Sequence, residues 1–202
     1  MDNFEIRFGG TGGQGLQLSA KLLADALSIQ GLNVARSQSY EPTSRGGISR
    51  ADLVVSEDNI DFPLLSELDL LILLDQPALG ISLPLMKKGG VVLADDRRTQ
   101  DIPTKDLKVH VLPLSEMALA MGNERVTNII ALGAFAGIND LCDYDILEQT
   151  ISKGVPPRFL ELNLSAFAKG YELTAGSAAK VAAGEFRIIT WISTLPLLER
   201  SQ

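Results

Sequence analysis

Residues 4–16 read Phe4-Glu5-Ile6-Arg7-Phe8-Gly9-Gly10-Thr11-Gly12-Gly13-Gln14-Gly15-Leu16, and the order of these residue types decides the fold class. Phe4, Ile6 and Phe8 alternate with charged residues, the two-residue period of a strand with one apolar face. Five of the seven residues 9–15 are glycine. From Leu16 the period lengthens: Leu16, Ala20, Leu23 and Leu27 recur at spacings of four and three, the stripe of an amphipathic helix, and Gly31 marks its stop. A strand, a glycine turn and a helix in that order form the first unit of an α/β sheet. Glycine is required where φ is positive or where a Cβ would block close approach. The helix that follows adds unpaired N–H groups and the positive end of its dipole. Gly10-x-Gly12-x-x-Gly15 also has the spacing of a dinucleotide-binding loop.

Further along, Asn33 to Ser37 reads as a second strand, 38–48 as a polar loop and Ala51 to Ser56 as renewed strand. Leu70 to Leu74 is a continuous apolar run ending at Asp75, as expected of a strand covered on both faces. A helix is predicted from about Pro77 to Lys88, with Lys87, Lys88 and Gly89 at its negative end. Val91 to Ala94 and Lys108 to Leu112 are two further strands. The second half reads as helical. Ser115-Glu116 opens a stretch to Ile138 that divides near Gly122, and Asp143 to Lys153 forms another helix. Pro156-Pro157 starts one more, with Gly170 as its stop. The expectation is an α/β fold, a doubly wound, mostly parallel sheet flanked by helices with a helical C-terminal part. Residues 1–176 form the domain and residues 177–202 a C-terminal extension, in which Phe186 to Ile192 reads equally as strand or helix.

Composition removes several classes of function. The net charge of −7 argues against a nucleic-acid partner, which calls for a basic face. No apolar run reaches the ~18 residues of a membrane span, and the chain enters its first strand too early for a signal peptide. With one cysteine, Cys142, the simplest location is the cytoplasm. One cysteine and one histidine cannot supply the roughly four ligands of a structural zinc site or an iron–sulfur cluster. Any electrons must travel through another polypeptide.

Two segments stand out as candidate sites. The glycine loop, with Gly12, Gly13, Gln14 and Gly15, is one. A NAD site wants an acidic residue at the end of the second strand. Arg36-Ser37 stands there instead and suits a 2′-phosphate, which leaves an independent NADP-binding reductase as an alternative. The lysine of a P-loop is missing, since Leu16-Gln17 follows Gly15. The other segment, 39–47, lies on the same carboxyl edge of the sheet. It combines Tyr40, Glu41, Arg45, Gly46 and Gly47, and the Arg45 fork suits a carboxylate or phosphate. Its plainer reading is a solvated loop with a Glu41–Arg45 ion pair. His110, between two valines, reads as a structural histidine and Cys142 as a small buried filler. Asp75-Gln76 and Asp95-Asp96 end strands, where they either touch a ligand or cap the next helix.

In order and spacing these residues resemble the gamma subunits of the 2-oxoacid:ferredoxin oxidoreductases, which act on pyruvate, 2-oxoglutarate, branched-chain 2-oxoacids or indolepyruvate. The resemblance runs through Gly12-Gly13-Gln14-Gly15, Ser39-Tyr40-Glu41-Pro42 with Arg45-Gly46-Gly47, Leu74-Asp75-Gln76, and Lys88-Gly89-Gly90. It continues through Asn123-Glu124-Arg125 with Asn128, Leu132-Gly133-Ala134, and Glu161-x-Asn163-x-x-Ala166-Phe167-x-x-Gly170-Tyr171. It departs from the pattern in two places: relatives often place an aromatic before the first paired glycines, and the 26 residues after Gly176 match no family pattern. The resemblance implies a subunit of a heteromeric enzyme that decarboxylates a 2-oxoacid oxidatively to an acyl-CoA, with coenzyme A as co-substrate. It implies alpha, beta and, where present, delta subunits as partners, with ferredoxin engaged indirectly. Thiamine diphosphate, magnesium and iron–sulfur clusters are then expected in the partner subunits and none in this chain, which lacks the Gly-Asp-Gly of a thiamine site. On the same resemblance, Gly12, Gly13, Gln14, Gly15, Tyr40, Glu41, Arg45, Gly46 and Gly47 lie at a subunit interface or near coenzyme A, with Gln14 bonding across the contact. None of them is catalytic. A pure scaffold role is the second alternative.

Overall fold

The computed structural model describes residues 3–40 and 47–181, with side chains described for 3–39 and 47–175. Glu41, Arg45 and Gly46, the side chain of Tyr40 and residues 182–202 lie outside the described residues.

Six strands form one sheet in the order β2-β3-β1-β4-β5-β6. They are β1 (Phe4–Thr11), β2 (Asn33–Tyr40), β3 (Ile48–Ser56), β4 (Leu68–Leu73), β5 (Met86–Asp95) and β6 (Lys108–Leu112). β1, β4, β5 and β6 run parallel to one another. β3 is antiparallel to both β1 and β2. The sheet is therefore mixed: it is mostly parallel, as strand–helix alternation predicts, and β3 is the one strand that reverses. The reason is chain length. A parallel crossover needs a dozen or more residues, usually a helix, and only 41–47 separate β2 from β3.

The helices are α1 (Leu16–Ile29), α3 (Leu114–Ala120), α4 (Thr127–Ile138), α5 (Tyr144–Gly154) and α6 (Leu160–Val181), and α1 buries the stripe of Leu16, Ala20, Leu23 and Leu27. Ile6 and Phe8 of β1 share a core with Leu23, Leu27, Ile130, Phe135 and Phe167. A smaller core of Leu71, Leu73, Val92 and Ala94 lies on the other face under Ala78 and Leu79. α4 is buried almost all round, and it packs unusually close to α6. A Cβ on Gly133 would overlap the Phe167 carbonyl, and one on Gly170 would overlap the Ile130 carbonyl. Gly170 is thus a contact point inside α6, not the stop that the sequence suggests, and the helix runs on to Val181.

The helix expected over 77–88 is also absent. A 3₁₀ turn (Gln76–Ala78), the single turn α2 (Leu79–Ser82) and another 3₁₀ turn (Leu83–Leu85) stand in its place, and Lys87, Lys88 and Gly89 belong to β5. Pro84 removes a backbone donor in mid-stretch, which breaks a continuous helix. Lys87 is held by Asp69, with Nζ 2.8 Å from both carboxylate oxygens.

The outward half of β1 is not solvated. Arg7 is 2% exposed and forms a two-pronged ion pair with Asp52 on β3, Nε–Oδ1 2.8 Å and Nη2–Oδ2 2.9 Å. Its Nη1 donates to the Ile81 carbonyl at 3.3 Å. Removing one member of such a pair strands a buried charge. Arg7→Ala is expected to cost about 3–5 kcal/mol in urea unfolding, whereas Arg7→Met combined with Asp52→Leu recovers most of that loss.

Candidate functional site

The carboxyl ends of the parallel strands gather on one edge. The glycine loop follows β1 there, Asp75-Gln76 follows β4 and Asp96-Arg97-Arg98 follows β5. Because β3 is antiparallel, its start brings Gly47 to the same edge, and the Gly12 N–H donates to the Gly47 carbonyl at 3.1 Å. The end of β2 at Tyr40 arrives there as well. The two glycine-bearing segments converge as far as the described residues reach.

The loop is braced from within. Gly13 and Gly15 adopt φ of 97° and 74°, the left-handed region that favours glycine. The Gln14 side chain accepts from the Thr11 N–H at 2.7 Å and donates to the Leu74 carbonyl at 3.0 Å. Both ends of its amide bond within the loop's own frame, which leaves one N–H and one oxygen lone pair for the contact that the resemblance implies. Behind the loop, Asn128 at the start of α4 is 2% exposed, and its Nδ2 donates to the Gly15 carbonyl at 3.2 Å and to Ser19 Oγ at 3.0 Å. The remaining apex, Gly12 and Gly13, is exposed, and a Cβ at either position would meet nothing within 4 Å.

A second brace holds the stem. Thr11 Oγ1 donates to Asp75 Oδ2 at 2.9 Å, and Arg98 Nη1 lies 3.5 Å from the same oxygen. Arg98 Nη2 donates to Glu124 Oε1 at 2.6 Å, with Arg97 3.7 Å away. The Gln76 N–H donates to the Arg98 carbonyl at 3.0 Å. The hydrogen bond to Glu124 raises the Arg98 pKa, and the bond from Arg98 holds the Glu124 carboxyl below the ordinary carboxylate range. Asp75 therefore serves as a bridge between the loop and an arginine, neither a helix cap nor a free ligand. Asp95 is a cap: its Oδ1 accepts from the Ser115 N–H at 2.8 Å. Arg97 and Arg98 went unnoticed in the sequence, although two arginines directly after Asp95-Asp96 at a strand end were the available signal.

Arg36 does not reach this edge. It lies four residues before Tyr40 in β2 and pairs with Leu53, about 13 Å short of the strand's end. β3 further separates β2 from β1, where a dinucleotide fold places the two side by side. His110 is partly buried in β6, and burial, aided by Lys108, lowers its pKa. Cys142 is buried and free, and burial beside Asp143 pushes its thiol up to about 12. No group of three or more His, Cys, Asp or Glu able to hold a metal occurs among the described residues. With one cysteine and one histidine in the whole sequence, the donor set does not fit an iron–sulfur cluster. No helix among the described residues is long and apolar enough to cross a membrane.

The pyruvate ferredoxin/flavodoxin oxidoreductase family model matches residues 5–173. This chain belongs to that family. The subunit KorC of 2-oxoglutarate synthase from Methanocaldococcus jannaschii is 35% identical over 173 residues, 84% of this chain and 92% of the relative. The subunit PorC of pyruvate synthase from Methanothermobacter thermautotrophicus is 28% identical, covering 83% and 94%. Among solved structures, the gamma subunit of a keto/oxoacid ferredoxin oxidoreductase from Geobacter sulfurreducens superposes with a TM-score of 0.78 at 34% identity, covering 88% of this chain and 99% of that one. The fold is also shared with 32% of a 2-oxoglutarate:ferredoxin oxidoreductase chain from Magnetococcus marinus, at a TM-score of 0.77 and 23% identity. The chain is thus of the gamma-subunit type within this family.

Two outcomes are expected from this geometry. Glu124 has its pKa lowered on folding, so the Arg98 latch is intact above the ordinary carboxylate range and is lost as pH falls through the lowered value. Amide exchange around 96–100, corrected for its intrinsic pH dependence, should accelerate on acidification, and Glu124→Gln should remove that step. Cys142 should resist iodoacetamide at pH 8 in the folded chain and react on unfolding, since almost none of it is thiolate.

Proposed function

We propose that this chain is a non-catalytic gamma subunit of a thiamine-diphosphate-dependent 2-oxoacid:ferredoxin oxidoreductase, and that its carboxyl edge packs on the catalytic subunits and helps shape the approach of coenzyme A. The observation that carries the reading is the exposed Gly12-Gly13 apex on a stem braced by Gln14, Asn128 and the Thr11–Asp75–Arg98–Glu124 series. A rigid surface lacking side chains lets another backbone or an anionic ligand come within hydrogen-bonding distance, and holding it fixed beforehand lowers the entropy lost on binding. In this reading Gly15, Gly46, Gly47, Tyr40, Glu41 and Arg45 belong to the same interface. Arg45 meets a carboxylate of a sister subunit or a phosphate of coenzyme A. Decarboxylation, magnesium binding and electron transfer to ferredoxin belong to the alpha, beta and, where present, delta subunits. The 2-oxoacid is chosen there too.

Gly12 offers a direct test. Its φ is not in the left-handed region and a Cβ there meets nothing, so Gly12→Leu should leave the melting temperature of the isolated chain unchanged. In the reconstituted complex the same substitution should weaken assembly, or raise the KM for coenzyme A by roughly tenfold with a smaller effect on kcat. Normal assembly with normal kinetics would remove this edge from the interface. Weakened assembly with an unchanged KM would leave scaffolding alone. Arg45→Ala gives the complementary reading, a raised KM for coenzyme A without loss of assembly.

A further inference from the structure

The opposite pole of the sheet carries a second candidate contact. β3 ends at Ser56 and β4 begins at Leu68, so residues 57–67 cross the sheet's other end, about 20 Å from the glycine loop. This connection is held at both ends. At its start, Asn33 Nδ2 donates to the carbonyls of Glu57 at 3.2 Å and Asp58 at 3.1 Å. At its end, Glu5 of β1 accepts from the Ser66 N–H at 2.7 Å, Ser66 Oγ at 2.8 Å and the Glu67 N–H at 3.0 Å. Glu5 is only 4% exposed. A carboxylate withdrawn from water is expensive, and these donors offset that cost only while the connection stays in place.

The structure so fixed displays Phe62 at 59% exposure and Leu64 at 52%, on either side of Pro63. Large apolar side chains presented together on an ordered segment mark a contact surface. Residues 57–67 also hold four carboxylates, Glu57, Asp58, Asp61 and Glu67, and no Lys or Arg. Lys87 and Lys88 pair with carboxylates outside this segment, Asp69 at 2.8 Å and Asp106 at 3.6 Å. A second copy of this chain, with its net charge of −7, meets such a segment with like charge. An apolar pocket rimmed by Lys and Arg meets it with both kinds of complementarity.

We propose that Phe62 and Leu64 insert into an apolar, basic-rimmed pocket on a sister subunit of the oxidoreductase, a contact separate from the carboxyl edge. This rests on the subunit role proposed above and adds a second attachment point at the far pole. The test uses the full chain and its cognate subunits, expressed separately and recombined. Phe62→Ser with Leu64→Ser should leave the circular dichroism and melting temperature of the free chain unchanged, because both side chains are exposed, and should weaken binding to the sister subunits roughly tenfold or more. Glu57→Lys with Asp61→Lys, which touches no apolar contact, should slow association at low salt and flatten its salt dependence. Unchanged affinity for both pairs of substitutions would overturn the proposal. So would self-association of the wild-type chain that the Ser pair abolishes, since the occupant would then be a second copy. If the wild-type chain bound no sister subunit at all, the subunit reading itself would fail. Wild-type binding with unaffected variants would reject only this contact.

Discussion

The seven residues between Tyr40 and Ile48 cannot carry the chain back across the sheet, and most of what distinguishes this molecule follows from that constraint. β3 is forced to return antiparallel and inserts between β2 and β1. That insertion brings Gly47 beside Gly12, closed by a backbone hydrogen bond of 3.1 Å. It also moves β2 one strand away from the glycine loop, so the position that reads a ribose in a dinucleotide fold is not adjacent to it. The same reversal sends residues 57–67 to the opposite pole. One short connection thus turns a nucleotide-like strand–loop–helix unit into a surface with two ends.

The strand–glycine–helix start, the continuous apolar β4, the cut near Gly122 and the amphipathic α1 were legible in the sequence because each depends on local period or on a glycine stop. What was not legible depended on connection length, on a proline inside the stretch, or on residues distant in the chain. Strand direction at β3 required counting the connection against the length of a crossover. Gly170 looks like a helix end until α4 is laid against α6 and the Ile130 carbonyl occupies the place of its Cβ. Lys87 and Lys88 look like a helix C-terminus until Pro84 is weighed and Asp69 is found to hold Lys87.

At the site the same division holds. That the glycine loop and the Gly47 segment share an edge could be read from strand order alone. That Gln14 turns inward could not, since an amide flanked by glycines looks free to reach outward, and only the position of the Leu74 carbonyl on β4 shows where it is held. Asp75 looked like a cap because caps follow strands in α/β folds. Its role as a bridge from Thr11 to Arg98 needs β4 and β5 side by side. The alternation shows that Glu5 and Arg7 share the face opposite Phe4, Ile6 and Phe8, and both side chains are buried. Periodicity reports which residues share a face. It does not report whether another part of the chain covers that face.

These buried charges bear on how the subunit can work. A hydrophobic residue at position 5 would not anchor 57–67 through donors of defined direction, and one at position 7 would not fix β1 to β3 through a fork of two hydrogen bonds. A buried ion pair is often no more stabilising than apolar packing of the same volume, but the Arg7–Asp52 fork and the donors to Glu5 have fixed directions. Arg7–Asp52 sets the register between β1 and β3, and that register sets where Gly47 meets Gly12. Glu5, two residues away on the same side of the same strand, sets the far connection. β1 therefore fixes both poles at once, through its polar face, while its apolar face holds the core. For the role proposed above, in which the subunit presents surfaces at both poles, this arrangement matters because misplacement of either pole by an ångström or two would be felt directly as lost complementarity.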